Sequence, residues 1–141
     1  MKHKGCTSDY NYSRMQDIAR AFKEYYVKLG GYKHNIYDII ARSKSNRYWV
    51  SEERAKYVIS RISKGDTLKN FRSTKRRMFF DIYIKYIDSK IANPHLSENE
   101  HISRVIHSQA NQFYLEPSAI KAYHYKYLRY ERSKQRHRTN D

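Results

Sequence analysis

Apolar side chains recur at three- and four-residue spacing along most of this 141-residue chain, and only 4 Gly and 2 Pro separate the segments. That spacing marks helices with one buried stripe, and the shortage of turn residues leaves little room for hairpins. The expected fold is all-α: a compact bundle of about five helices plus a short helical turn. From Asp9 to Leu29 the stripe is Met15, Ile18, Phe22, Tyr25, Tyr26 and Leu29, closed by Gly30-Gly31. Ile36, Ile39 and Ile40 form a short second stripe. Ser51 then suits an N-cap, with Glu52 and Glu53 in the first turn and Ala55, Val58, Ile59 and Ile62 behind them. Gly65 ends that segment, and Thr67 caps a short turn through Leu68 and Phe71.

A long helix follows from Ser73 or Thr74, with Met78, Phe79, Ile82, Tyr83, Tyr86, Ile87 and Ile91 on a broad apolar face. Within it, Phe80 to Tyr86 alternate as a strand would, but the flanking spacing favours helix. Asn93-Pro94 stops it, and Ser97, Glu98 and Glu100 open another with Ile102, Val105, Ile106 and Ala110. Phe113, Tyr114 and Leu115 lie in a connector, where such side chains more often plug a core. Pro117 suits the first position of a last helix through Ile120, Tyr123, Tyr127 and Leu128. No internal repeat is evident. The expected organisation is a frayed N-terminus over 1–8, a single helical domain over 9–132 and a flexible basic tail over 133–141.

Lys and Arg total 29 against 14 Asp and Glu, for a net charge of +15. The excess is +6 over residues 1–50, +4 over 51–100 and +5 over 101–141, so it is no mere tail effect. A surface of this kind favours polyanions. No run approaches the ~18–20 apolar residues of a membrane span, and no signal-peptide core is present. The lone Cys6 excludes an intrachain disulfide framework and fits a reducing compartment. These features predict an intracellular, cytoplasmic protein, with nucleoid or virion association compatible, and no membrane partner.

Arg72-Ser73-Thr74-Lys75-Arg76-Arg77 places four cations at a helix start, where the macrodipole favours acids. A sequence that keeps them there has an anion to place, and phosphate can use amide N–H groups and cations together. Nucleic acid is the expected partner, DNA ahead of RNA. The last helix interleaves Lys121, Tyr125, Lys126, Arg129 and Arg132, a pattern that can track a backbone and stack bases. Tyr123, Tyr127 and Tyr130 share one face and read as core. Lys134, Arg136 and Arg138 suit loose phosphate contact.

Ile62-Ser63-Lys64-Gly65-Asp66-Thr67-Leu68 resembles the start of helix-turn-helix units in phage small terminase subunits and transposase N-terminal domains. The likeness covers about residues 51–91, and Thr67 to Phe71 is short for a positioning helix. It implies that Ser73 to Arg77 lead a recognition helix, with hydroxyls and Lys75 on phosphates and Arg76 or Arg77 reaching guanine edges. It also implies phage or mobile-element origin. The expected function is thus non-catalytic DNA binding through a helix-turn-helix-like unit, with homo-oligomerisation compatible. The alternative is a packaging or structural protein that binds nucleic acid without reading it, or docks on an acidic protein.

His101-Ile102-Ser103-Arg104, with His124 and Tyr130, has the His-x-x-Arg spacing of tyrosine recombinases, but the surrounding sequence does not match and Tyr130 falls too close to His124. His3-x-x-Cys6 is a lone pair, and His101 and His107 are six apart, so no metal site, cofactor or catalytic residue is expected.

Overall fold

The computed structural model describes the backbone of residues 2–140 and the side chains of residues 10–136. It contains α1 (Lys2–Lys28), α2 (Ile36–Ala41), α3 (Glu52–Ser63), α4 (Ser73–Ala92), α5 (Glu98–Ile106) and α6 (Pro117–Asn140). No strand occurs among the described residues, so the fold is all-α and Phe80 to Tyr86 are helical. The predicted stops and starts operate. Gly31 N–H reaches the Tyr26 carbonyl and Gly30 N–H that of Val27, a pairing that closes α1 with both glycines at positive φ. Ser51 Oγ accepts the Arg54 N–H, and Ser97 with Glu100 forms a complete capping box.

The chain divides into two compact units rather than the expected single domain: Met1–Ser43 with Glu116–Asp141, and Lys44–Leu115. The first is α1, α2 and α6, which pack mutually around Met15, Ile18, Ile36, Ile40 and Ile120. The second is α3, α4 and α5 around Val58, Ile59, Phe79, Ile82, Ile102 and Ile106. Both stretches expected to lie outside regular structure are helical, α1 from Lys2 and α6 through Asn140. The late part of α6 has contacts that support it. Tyr12 OH donates to Glu131 at 2.8 Å, and the Lys134 ammonium sits 5.3 Å from the Tyr12 ring and 5.4 Å from that of Tyr130.

A second correction concerns residues 64–72, which carry no helix. Leu68 adopts φ 55° and is buried in the second unit, while the Asp66 carboxylate accepts its N–H at 2.7 Å. Burying Leu68 through a left-handed residue is incompatible with a helical turn, so the positioning helix of the expected helix-turn-helix is not formed.

A repeat that the sequence reading did not detect emerges instead. α2–loop–α3 and α5–loop–α6 have the same layout: Ala41 and Ile106 end a helix, Ser45 and Ala110 form a bridge, and Glu52 and Pro117 start a helix, each pair 65 residues apart. The equivalent bridge residues pair with each other, Ser45 N–H to Ala110 O at 3.2 Å and Ala110 N–H to Ser45 O at 3.0 Å. The helix after each loop is exchanged: α3 packs with α4 and α5, α6 with α1 and α2. In sequence Asn46-Arg47-Tyr48-Trp49-Val50 and Asn111-Gln112-Phe113-Tyr114-Leu115, with Ser43 and Ser108 before them, betray the relation.

The second loop is anchored by Tyr114, which is buried at φ 56°. Its ring stacks on Tyr48 at 5.8 Å, and its hydroxyl donates to the Asp81 carboxylate of α4. Burial, then this bond, push the Tyr114 pKa far upward. Tyr114→Phe removes a hydrogen bond to a carboxylate and should lower unfolding free energy by about 1.5–3 kcal/mol in urea titrations. An unchanged midpoint would show that this bond does not anchor the loop.

Candidate nucleic-acid interface

α4 begins as the charge run predicted. Arg72 is its N-cap in extended conformation (φ −60°, ψ 148°), no side chain caps the helix, and no acid lies in its first turn. α3 and α5, by contrast, start on Ser caps and Glu residues. The amides of Ser73, Thr74 and Lys75 precede the first intrahelical donor, Arg76, whose N–H reaches the Arg72 carbonyl. Arg72, Ser73, Lys75, Arg76 and Arg77 are exposed, and Thr74 is half-buried. Ser73, Arg76, Arg77, Phe80 and Asp81 surround a shallow depression of about 300 Å³. Arg76 also has a structural task, because its Nε donates to the Thr67 carbonyl at 3.1 Å and ties the connection to the helix.

α3 extends this surface with residues that sequence reasoning passed over. The Arg54 guanidinium lies 5.6 Å from both the Tyr57 and Phe71 rings, and that of Arg61 lies 5.7 Å and 5.6 Å from the same rings. Phe71 directly precedes Arg72, so cations and aromatics continue into the start of α4. The spacing of Arg54, Tyr57 and Arg61 (i, i+3, i+7) was the available signal. Arg61 additionally pairs with Asp66, whose carboxyl is held below its ordinary pKa first by the Leu68 N–H and then by Arg61.

In the other unit, α6 turns Ile120, Tyr123, His124 and Tyr127 inward. Lys121, Tyr125, Lys126, Arg129 and Arg132 are all exposed. Lys121, Tyr125, Arg129 and Arg132, at steps of four, four and three, form one stripe, and the Lys121 ammonium lies 5.6 Å from the Tyr125 ring. Tyr130, expected in the core, is largely exposed and sits beside Tyr12 at 5.0 Å instead. Lys134 is engaged with Tyr12, Arg136 is exposed, and the side chain of Arg138 lies outside the described residues. The eleven residues singled out for phosphate or base contact thus fall into two groups, Arg72 to Arg77 in one unit and Lys121 to Arg132 in the other.

The two histidines of the recombinase-like pattern are both interior. His101 is buried, with Nδ1 2.7 Å from Ser89 Oγ and its ring edge-on to Tyr86. His124 is buried in the first unit, stacked on Phe22 at 4.1 Å with Nδ1 2.8 Å from Tyr37 OH. Neither imidazole presents Nδ1 to a substrate. Among the described residues no three His, Cys, Asp or Glu side chains cluster as metal ligands, and the side chains of His3 and Cys6 lie outside them.

Burial pushes the His124 pKa below its ordinary 6.5 and raises that of Tyr37 to about 12. Above pH 6.5 the imidazole is neutral in folded and unfolded chains alike. Below it, the unfolded chain takes up a proton that the buried ring resists, so stability falls as pH drops. The urea midpoint should therefore decline between pH 7 and pH 5 more steeply than in the Tyr37→Phe/His124→Phe double variant. Equal slopes would contradict the assignment.

At the start of α4, Lys75→Glu should raise stability by about 0.3–1 kcal/mol, since an exposed cation at the positive end of a helix is replaced by an acid. Thermal unfolding measures this, and a loss of stability would remove the argument from charge placement. Compared with protein-family models, curated proteins and solved structures, the chain finds no match, so its function is argued from this geometry.

Proposed function

We propose that this is a non-catalytic nucleic-acid-binding protein acting inside the cell, with DNA as the leading ligand. The observation that carries the reading is the α4 start: four exposed cations stand where α3 and α5 place acids and Ser caps. A phosphate there would accept from the first amides of α4 while Arg72, Lys75 and Arg77 neutralise it. The α6 stripe adds a second cationic face, on a helix whose first turn also lacks acids. Helix-turn-helix action in the form expected from residues 51–91 lacks its middle helix. The exposed side of α6 offers the alternative face for the ligand. Phage or mobile-element origin rests on the resemblance of residues 51–91 alone.

Non-specific packaging is the second reading. It is favoured by the even spread of charge, since residues 44–115 carry +7 of the +15. Phosphate contacts of either kind release counterions, so affinity for a duplex should fall linearly on logarithmic axes as salt rises. With 6–10 contacts the loss is about 10³–10⁵ between 50 and 200 mM. Fluorescence anisotropy with a labelled duplex tests this, and salt-independent binding would sink the proposal. Lys75→Glu combined with Arg77→Glu should weaken that binding at constant helicity. Competition by random duplex separates the two readings, since a specificity ratio near one selects packaging.

A further inference from the structure

We propose that the α1–α2–α6 unit holds an unpaired nucleobase in an aromatic pocket beside the α6 stripe. This rests on the nucleic-acid reading above and narrows it to single-stranded or locally opened ligand. The pocket is about 360 Å³, within the range of small-ligand sites, and its walls include Phe22, Tyr32, Tyr37, Tyr125 and Leu128 with Lys23 at its edge. Phe22 and Tyr37 are held by His124, itself part of the lining, through the 4.1 Å stack and the 2.8 Å hydrogen bond. Tyr37 meets Tyr125 edge-on at 6.4 Å. Tyr32 and Tyr125 remain 54% and 45% exposed, so part of each side chain is open to a guest.

Such walls select for a flat aromatic guest and offer little to read its edges. The surrounding charge decides which guest. Between Pro117 and Tyr130 the helix carries Lys121, Lys126 and Arg129 and no acid, and Arg132 follows one turn on. An aromatic ring attached to a polyanion satisfies both features: the base stacks on tyrosine while its phosphates run along the cations. A base inside an intact duplex presents only its edges, so the ligand at this site must be unpaired. Recognition by ring faces is tolerant of sequence, because every base has one.

The test compares oligothymidylate with an abasic phosphodiester of equal length and charge, using the full chain and anisotropy. The abasic strand should bind about 5- to 160-fold more weakly, the range expected for one stacked base. Tyr32→Ala with Tyr125→Ala should bring oligothymidylate down to the level at which the native chain binds the abasic strand. Circular dichroism checks that the helices persist. If the double variant unfolds, Tyr125→Ala alone, at an already exposed ring, carries the same comparison. Equal binding of both strands by the native chain would overturn the pocket while leaving the nucleic-acid reading intact. Binding of neither strand, nor of duplex, would overturn both.

Discussion

The pairing of Ser45 with Ala110 is the contact on which the second unit depends. It joins the two ends of the 44–115 segment through two reciprocal backbone hydrogen bonds, and Tyr48 N–H adds a third to the Ile106 carbonyl. Each such bond contributes only about 1 kcal/mol net, but leaving these buried groups unpaired would cost more. Both loops are short of glycine, so side chains hold them in place. Tyr48, Val50, Ala110 and Tyr114 all enter the core around Ile102 and Ile106. Closing the segment in this way leaves α3 with α4 and α5, and α6 with α1 and α2, so the two helices of each repeat fall in different cores.

Buried polar pairs then make each core specific. Asp17, almost fully buried, accepts both Nε and Nη2 of Arg20. Tyr37 meets His124, Ser89 meets His101, and Tyr114 meets Asp81. An aliphatic replacement could fill the same volume, but a polar atom in a low-dielectric interior tolerates only the arrangement that supplies its partner. These pairs lock the faces that the helices present, including the face of α6 that leaves Lys121, Tyr125, Arg129 and Arg132 outside.

The two cationic surfaces differ in chemistry. At the start of α4, charge adds to unpaired amides and to the helix dipole, which suits a single phosphate held at a point. Along α6 the cations are spread over about three turns and flank aromatic rings, which suits a strand followed along its length. Arg54 and Arg61, stacked over Tyr57 and Phe71, give the α4 surface some of the second character too. Guanidinium stacking keeps the Arg54 charge in place without neutralising it, whereas Arg61 is also paired with Asp66.

Helix positions and their ends were legible in the sequence, because periodicity and caps act over a few residues: Ser51, Ser97, Gly30-Gly31 and Pro117 all behave as their local chemistry requires. The exposed cations at Arg72 to Arg77 were legible for the same reason, since a helix dipole is a local field. What was not legible depends on partners far along the chain. Leu68 gives up a helical turn to reach a core built from α4 and α5. His124, read from sequence as part of a recombinase-like pattern, is interior because Phe22 and Tyr37 meet it there. The repeat was hidden because equivalent positions of the two loops need similar shapes rather than identical residues, as Tyr48 and Phe113 or Val50 and Leu115 show. Local sequence therefore carries an all-helical, strongly basic chain with a helix start that holds four exposed cations and no acid. Which helices share a core and which tyrosines stay at the surface follow from long-range packing, because burial is settled by what packs against a side chain and not by its neighbours in sequence.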